Sequence, residues 1–414
     1  MVGPGKQIDI DRYKFYASFV KVIKSPLRLN LRAYGLLDID PRSFQHLGVL
    51  LGSPIFPQLN TLLLPYLGPF VDWQDRDMIL QDITPLVSSG RLQKVDLNLI
   101  DHDSHYVSQL LPFSQEIRIL SLSGYISSSA ILASVKFPRL QNFSVDFDLQ
   151  YAASPRDQDH INQSVSCLFQ SLSSLPRLVR LRLELPNWTI LPIIPPNMFA
   201  NVTALTLVGS ATIVSQVLSS AALEESPDSI PFRHILLGFT DEQFNENVLA
   251  NRQSSIRNLV VFASLSCLTL TIVDGSSLKA FIDPILGLPL MRSLIVKCKR
   301  RLAACADLDD LDVQRIVRAW PLLECLALYP CVQDHTNGII SKISLSGVQS
   351  LARLKHLRVL SIRVGRREVV LPRGYYHSCE SPFDSYVDTL FTFSQLNSPF
   401  FPDANCYSCS LDPV

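Results

Sequence analysis

Apolar residues recur along this chain at an interval of three and then two. In "RAWPLLECLALYP", Arg318–Pro330, they fall at Leu323, Leu326 and Leu328, a spacing that fits neither the 3.6-residue helix period nor strict strand alternation. The same triplet occurs eleven times. It begins with Leu59/Leu62/Leu64, Leu92/Val95/Leu97, Ile117/Leu120/Leu122, Leu140/Phe143/Val145 and Leu178/Leu181/Leu183, and ends with Leu357/Leu360/Ile362. Successive triplets start about 30 residues apart on average, a recurrence that marks a solenoid. The last two apolar residues of each triplet share one face of a short strand and point into a core. The first anchors the turn that leads into it. Pro stands at that turn in "FPQL", "FPRL", "LPRL" and "WPLL", where it would break a helix and where no ladder hydrogen bond is required of it.

Between the strands the period becomes helical. Ile161, Val165, Leu168, Leu172 and Leu175 line one face, and "ATIVSQVLSSAALEE" does the same with Ile213, Val214, Val217 and Leu218. "DLDDLDVQRIVRAW" opens on aspartates suited to a helix N-terminus and carries Val313, Ile316, Val317 and Trp320 on one side. The polar stretch 240–258, "TDEQFNENVLANRQSSIRN", reads as an inserted loop or a surface helix. Strand, turn, helix, turn, repeated, predicts a right-handed α/β solenoid: a curved parallel sheet on the concave side and irregular helices on the convex side. Its expected parts are a helical N-terminal cap or a linker over 1–40, about eleven irregular repeats over 41–364, and an irregular or disordered tail over 365–414.

Residues at offsets two, four and six from each first apolar position point away from that core. In four consecutive units they are Lys94, Asp96, Asn98; Ile119, Ser121, Ser123; Asn142, Ser144, Asp146; and Arg180, Arg182, Glu184. Three further units give Ala204, Thr206, Val208, His234, Leu236, Gly238, Cys267, Thr269 and Thr271, which carry far less charge. Two readings stand: a solvated sheet face, or a protein-binding patch whose Arg and Asn side chains supply specificity. On the second, the candidate contacts are the polar residues of the first four units, from Lys94 to Glu184.

The totals narrow the class. Apolar residues are 47% of 414, enough for a large interior, and 37 basic residues balance 37 acidic ones. That balance argues against a nucleic-acid binder, which would show a basic excess. It also leaves little to keep copies apart, which suits a chain kept soluble by a partner. No apolar run approaches a membrane span, and "MVGPGKQIDIDRYKFY" has no signal-peptide apolar core. Nine scattered cysteines fit reduced thiols in the cytoplasm or nucleus. His377, Cys379, Cys406 and Cys409 are soft ligands on paper, but they comprise one Cys-x-x-Cys pair with distant companions, so they read as a free tail. "DHDSH", Asp101–His105, reads as a solvated turn. Phosphate loops and nucleophile elbows are missing, so neither cofactor nor metal is expected, and the chain reads as no enzyme.

The three-two interval resembles the leucine-rich repeat, L-x-x-L-x-L-x-x-N/C-x-L. Of the eleven residues at the Asn/Cys position only Cys331 fits, so the repeats are degenerate. With "LDDLDVQRIVRAWPLLECLALYP" and "DRYKFYASFVKVI" (Asp11–Ile23), the chain resembles fungal F-box/leucine-rich-repeat proteins over about 11–364. The resemblance implies repeats that recognise a substrate protein for an SCF ubiquitin ligase. The Leu-Pro, acidic and Ile-Phe signature of the F-box does not precede Tyr13, so the chain is expected to be either a truncated relative or a repeat protein apart from the ligase. An alternative carried by the repeat family is regulation of a small GTPase, which would ask for a positioned Arg or Asn near one end.

Overall fold

A computed structural model of the 414-residue chain describes residues 10–24, 55–64, 90–99, 107–108, 110–147, 155–195, 198–222, 231–241, 246–272, 277–298, 307–329, 342–363 and 390–394. The chain divides into two compact units, Met1–Val273 and Asp274–Val414.

In the first unit nine strands follow in chain order: β1 (Val22–Lys24), β2 (Thr61–Leu64), β3 (Lys94–Leu99), β4 (Ile119–Gly124), β5 (Asn142–Phe147), β6 (Arg180–Glu184), β7 (Ala204–Gly209), β8 (His234–Phe239) and β9 (Cys267–Ile272). Each pairs in parallel with the next, and the registers keep equivalent triplet positions side by side: Leu97, Leu122, Val145, Leu183, Leu207, Leu237 and Leu270 form one column. Every member of that column is buried. One such strand cannot bury its apolar face alone; the stack gives all of them a continuous core.

Why does each strand begin where it does? In "FPQL", "FPRL", "LPRL" and "WPLL" the first apolar residue donates its backbone N–H to the carbonyl three residues back. These bonds are Leu59 to Phe56 (3.1 Å), Leu140 to Phe137 (3.3 Å), Leu178 to Leu175 (3.2 Å) and Leu323 to Trp320 (3.1 Å). Pro therefore occupies the second position of a hydrogen-bonded turn, where its fixed φ is already correct. The residue that opens the turn is part of the repeat too. Phe137, Leu175, Phe199, Phe262, Trp320 and Leu354 all sit there and all are buried. In the last unit Leu354 takes the deep position, and Leu357 is only half-buried.

Among the described residues the first unit also has helices α1 (Ile10–Ala17), α2 (Ser128–Ser134), α3 (Pro155–Leu172), α4 (Ala211–Ala222) and α5 (Glu246–Asn258), with 3-10 turns at Leu111–Glu116 and Leu259–Val261. α3 buries Ile161, Val165, Leu168 and Leu172, the stripe its sequence shows. Within the 240–258 stretch, Glu246–Asn258 form α5, which buries Arg252, Ser255 and Ile256. It fastens to α4 through polar contacts: Asn251 donates to Thr212 (2.9 Å) and Asn258 to Ser219 (2.8 Å). Arg252 lies 3.6 Å from the Asp241 carboxylate and over the Phe239 ring, so its charge is met inside the unit.

The second unit holds α6 (Leu278–Ile285), β10 (Ser293–Cys298), α7 (Asp310–Ala319), β11 (Cys325–Tyr329), α8 (Leu345–Leu351), β12 (Val359–Arg363) and β13 (Leu390–Ser394). β10, β11 and β12 are parallel; β13 runs antiparallel to β12. The aspartate run before α7 forms a capping box: Asp309 accepts from the amides of Leu311 and Asp312, and Asp312 accepts from the Asp309 amide. Ser277 and Ser344 cap α6 and α8.

All eleven triplets lie on strands, β2 to β12. Two strands escaped the pattern. β1 places Ile23 opposite Leu62, but two residues on stands Ser25 where an apolar residue completes the other triplets. β13 lies in the stretch expected to be irregular, and no triplet precedes it in the sequence.

Candidate protein-binding surface

Alternation leaves one side of each strand open. On β3, β4 and β5 half-buried and buried residues alternate without exception, and on β6 the exposed Arg180 and Arg182 stand out between Leu181 and Leu183. Parallel register then turns single residues into rows. The row nearest the strand N-termini reads Lys94, Ile119, Asn142, Arg180; the middle row Asp96, Ser121, Ser144, Arg182; the far row Asn98, Ser123, Asp146, Glu184. All the residues expected from the offsets therefore sit on one open face across four adjacent strands, about 4.8 Å apart.

The rows are bonded internally. Asn98 Nδ2 donates to Ser123 Oγ at 3.1 Å, and the Arg182 guanidinium meets the Glu184 carboxylate at 2.9 Å. Asn98 Oδ1 is buried and accepts no hydrogen bond among the described residues. Burial pushes the Asp96 carboxyl up; Lys94 beside it pulls the other way without cancelling the rise. Past β6 the face changes. Ala204, Thr206 and Val208 are followed by His234, Leu236, Gly238 and then Cys267, Thr269, Thr271. Here burial, with the charges of Arg180 and Arg233, holds the His234 imidazole below its ordinary pKa.

Offset one, the residue between the turn and the strand, forms a row as well. Backbone bonds join Gln93, Arg118, Gln141, Val179, Thr203, Arg233 and Ser266 in order across the sheet. The signal was present in the chain, since Arg118 and Arg233 hold the same offset in their units.

Among the described residues no group of three side chains could hold a metal ion. The tail residues His377, Cys379, Cys406 and Cys409, and the cluster Asp101–His105, lie outside the described residues. No helix of the described residues is long and apolar enough to cross a membrane.

A parallel sheet built from a repeated three-two triplet, with helices between the strands and one polar face left open, is an α/β leucine-rich-repeat solenoid. The chain matches no protein-family model and no curated protein. Among solved structures it is similar to one titled as a TLR13–ssRNA13 complex, at 14% identity and a TM-score of 0.37, covering 83% of this chain and 39% of that one. It is also similar to mouse RP105/MD-1, at 13% identity and a TM-score of 0.25, covering 75% of this chain and 68% of that one. The chain thus spans under half the length of the TLR13 chain.

Proposed function

We propose that this chain is a non-enzymatic scaffold that holds another protein against the open face of β3 to β6. The observation that supports it is the set of in-register rows from Lys94 to Glu184. They offer hydrogen-bond donors, acceptors and charges of both signs on a rigid sheet, the kind of surface that encodes specificity in a protein interface. A sheet face of this sort positions its side chains without needing a flexible loop to order on binding, so less conformational entropy is lost.

The finer reading is that the captured protein is a substrate delivered to an SCF-type ubiquitin ligase, and it rests on the resemblance of "DRYKFYASFVKVI" and the repeat phrases alone. The alternative, control of a small GTPase, has no arginine or asparagine singled out for it. Affinity capture of the tagged chain from its own cells, with mass spectrometry, tests all three. Arg180→Glu/Arg182→Glu is the control: it should lose the specific partners at least tenfold. A cullin-ligase adaptor among them carries the ligase reading, and a GTPase the alternative. Partners captured equally by both forms would remove this face from the mechanism.

A further inference from the structure

The formal charge balance of the chain conceals a separation. In the first unit, arginines gather at the N-terminal ends of the strands: Arg118, Arg139, Arg177, Arg180 and Arg233, all exposed. At the opposite ends of the same strands stand Asp146, Glu184 and Asp241. Of the basic set only Arg139 has an ion partner, Glu116 at 2.6 Å; Arg118, Arg177, Arg180 and Arg233 form no ion pair among the described residues. Arg118, Arg180 and Arg233 belong to the sheet rows. Two of them, Arg180 and Arg233, act on their neighbour: after burial, their charges hold the His234 imidazole below its ordinary pKa.

The spacing is regular. Arg118 lies on the row before β4, Arg180 at the first position of β6, and Arg233 on the row before β8. Consecutive members are two strands apart, and adjacent strands are separated by about 4.8 Å, so their Cα positions are about 10 Å apart. A peptide in the extended polyproline II conformation advances about 3.1 Å per residue with three residues per turn, so every third side chain faces the same way at nearly that distance. Exposed Gln93 and Gln141 stand on the strands flanking Arg118, on the same row. Their amides can both donate to and accept from a peptide backbone. Guanidinium groups pair with carboxylates in a two-pronged geometry that lysines do not reproduce.

We propose that these arginines, on two adjacent rows at the N-terminal ends of the strands, form a docking track for an acidic, extended peptide segment of the partner protein, one with a carboxylate at every third residue. The proposal rests on the scaffold reading and names the partner's chemistry. A nucleic-acid strand fits less well. Such tracks interleave basic residues with aromatic platforms for the bases, and the offset-one row from Gln93 to Ser266 contains no aromatic side chain.

The test uses the full chain and three fluorescent probes, followed by anisotropy at low ionic strength. One is a peptide with Asp at every third position among Ser and Ala. The second is its isomer with the same residues and all Asp in one block. The third is a single-stranded oligonucleotide of equal charge. The spaced peptide should bind about tenfold or more tighter than the block isomer, and Arg118→Glu/Arg233→Glu should weaken it by at least as much. Arg118→Gln/Arg233→Gln should fall between and serves if the reversal disturbs the fold by circular dichroism. Equal binding of the two peptides, absent binding, tighter binding of the oligonucleotide, or indifference to both double variants would overturn the track. If the track fails while Arg180→Glu/Arg182→Glu still abolishes partner capture, the scaffold reading stands without it; if capture is also indifferent, both fall.

Discussion

Phe232 offers the most direct test of the repeat stack. It is the first apolar residue of its triplet, fully buried, and its ring lies between two others. Phe199 is 5.5 Å away at a tilt of 59°, and Phe262 is 5.1 Å away at 81°, edge to face. Truncating a buried Phe to Ala costs about 3–5 kcal/mol through lost transfer energy and the cavity left behind. Each ring pair is worth about 0.5–1.5 kcal/mol beyond its area. Phe232→Ala should therefore destabilise the first unit by about 4 kcal/mol. Phe232→Leu keeps most of the buried volume and loses the ring geometry, so about 1–2 kcal/mol is expected. Urea unfolding gives the totals, and native-state hydrogen exchange gives the location. Because each repeat contacts only its neighbours, amides of β7, β8 and β9 should lose protection, while those of β3 and β4 keep theirs. An Ala variant costing under about 1.5 kcal/mol, or a loss spread evenly from β3 to β9, would refute the view that these rings hold adjacent repeats together.

Four further outcomes follow from single residues. Gly124 has φ +93°, and an added Cβ would sit 2.1 Å from the Leu99 carbonyl oxygen. Gly124→Ala should therefore cost more than about 2 kcal/mol, whereas Gly90→Ala, at φ +65° with open space around it, should cost about 1 in thermal unfolding. Burial would raise the Asp312 pKa, but Lys279 at 2.8 Å, the Asp309 amide and Arg315 outweigh it, leaving the carboxyl below its ordinary value. A depressed carboxyl stabilises the fold above its unfolded pKa and loses that contribution as pH falls through the folded one; acid titration of Asp312→Asn should show a shallower loss than the parent. Asp309→Ala removes two amide bonds at the start of α7 and should lower stability by about 1–2 kcal/mol by urea titration. Arg233→Gln should raise the His234 pKa in an NMR titration, and an unchanged value would mean the two charges are not neighbours.

The triplet determined the strands because its physics is local. Two apolar residues on one side of a short strand, and a third that closes the turn before it, leave few other ways to bury them. The helices of 155–172, 211–222 and 310–319 were legible for the same reason, each carrying its stripe at 3.6-residue intervals. The offsets assigned the open face from Lys94 to Glu184, since alternation fixes the side of every strand residue once the buried side is known.

Tertiary structure decided what local rules leave open. Stretch 240–258 is mostly polar, and its docking on α4, with Arg252 taken inside against Asp241, makes Glu246–Asn258 a helix packed on the core. β1 lacks the third apolar residue and is a strand because β2 offers it a ladder. Register decided most about the surface. A chain with equal numbers of acidic and basic residues looks neutral when read in order. Stacked in parallel, repeats of unequal length bring Arg118, Arg180 and Arg233 to one end of a sheet and Asp146, Glu184 and Asp241 to the other. Charge is a property of residues, but its arrangement belongs to the strand pairing, which no single repeat contains.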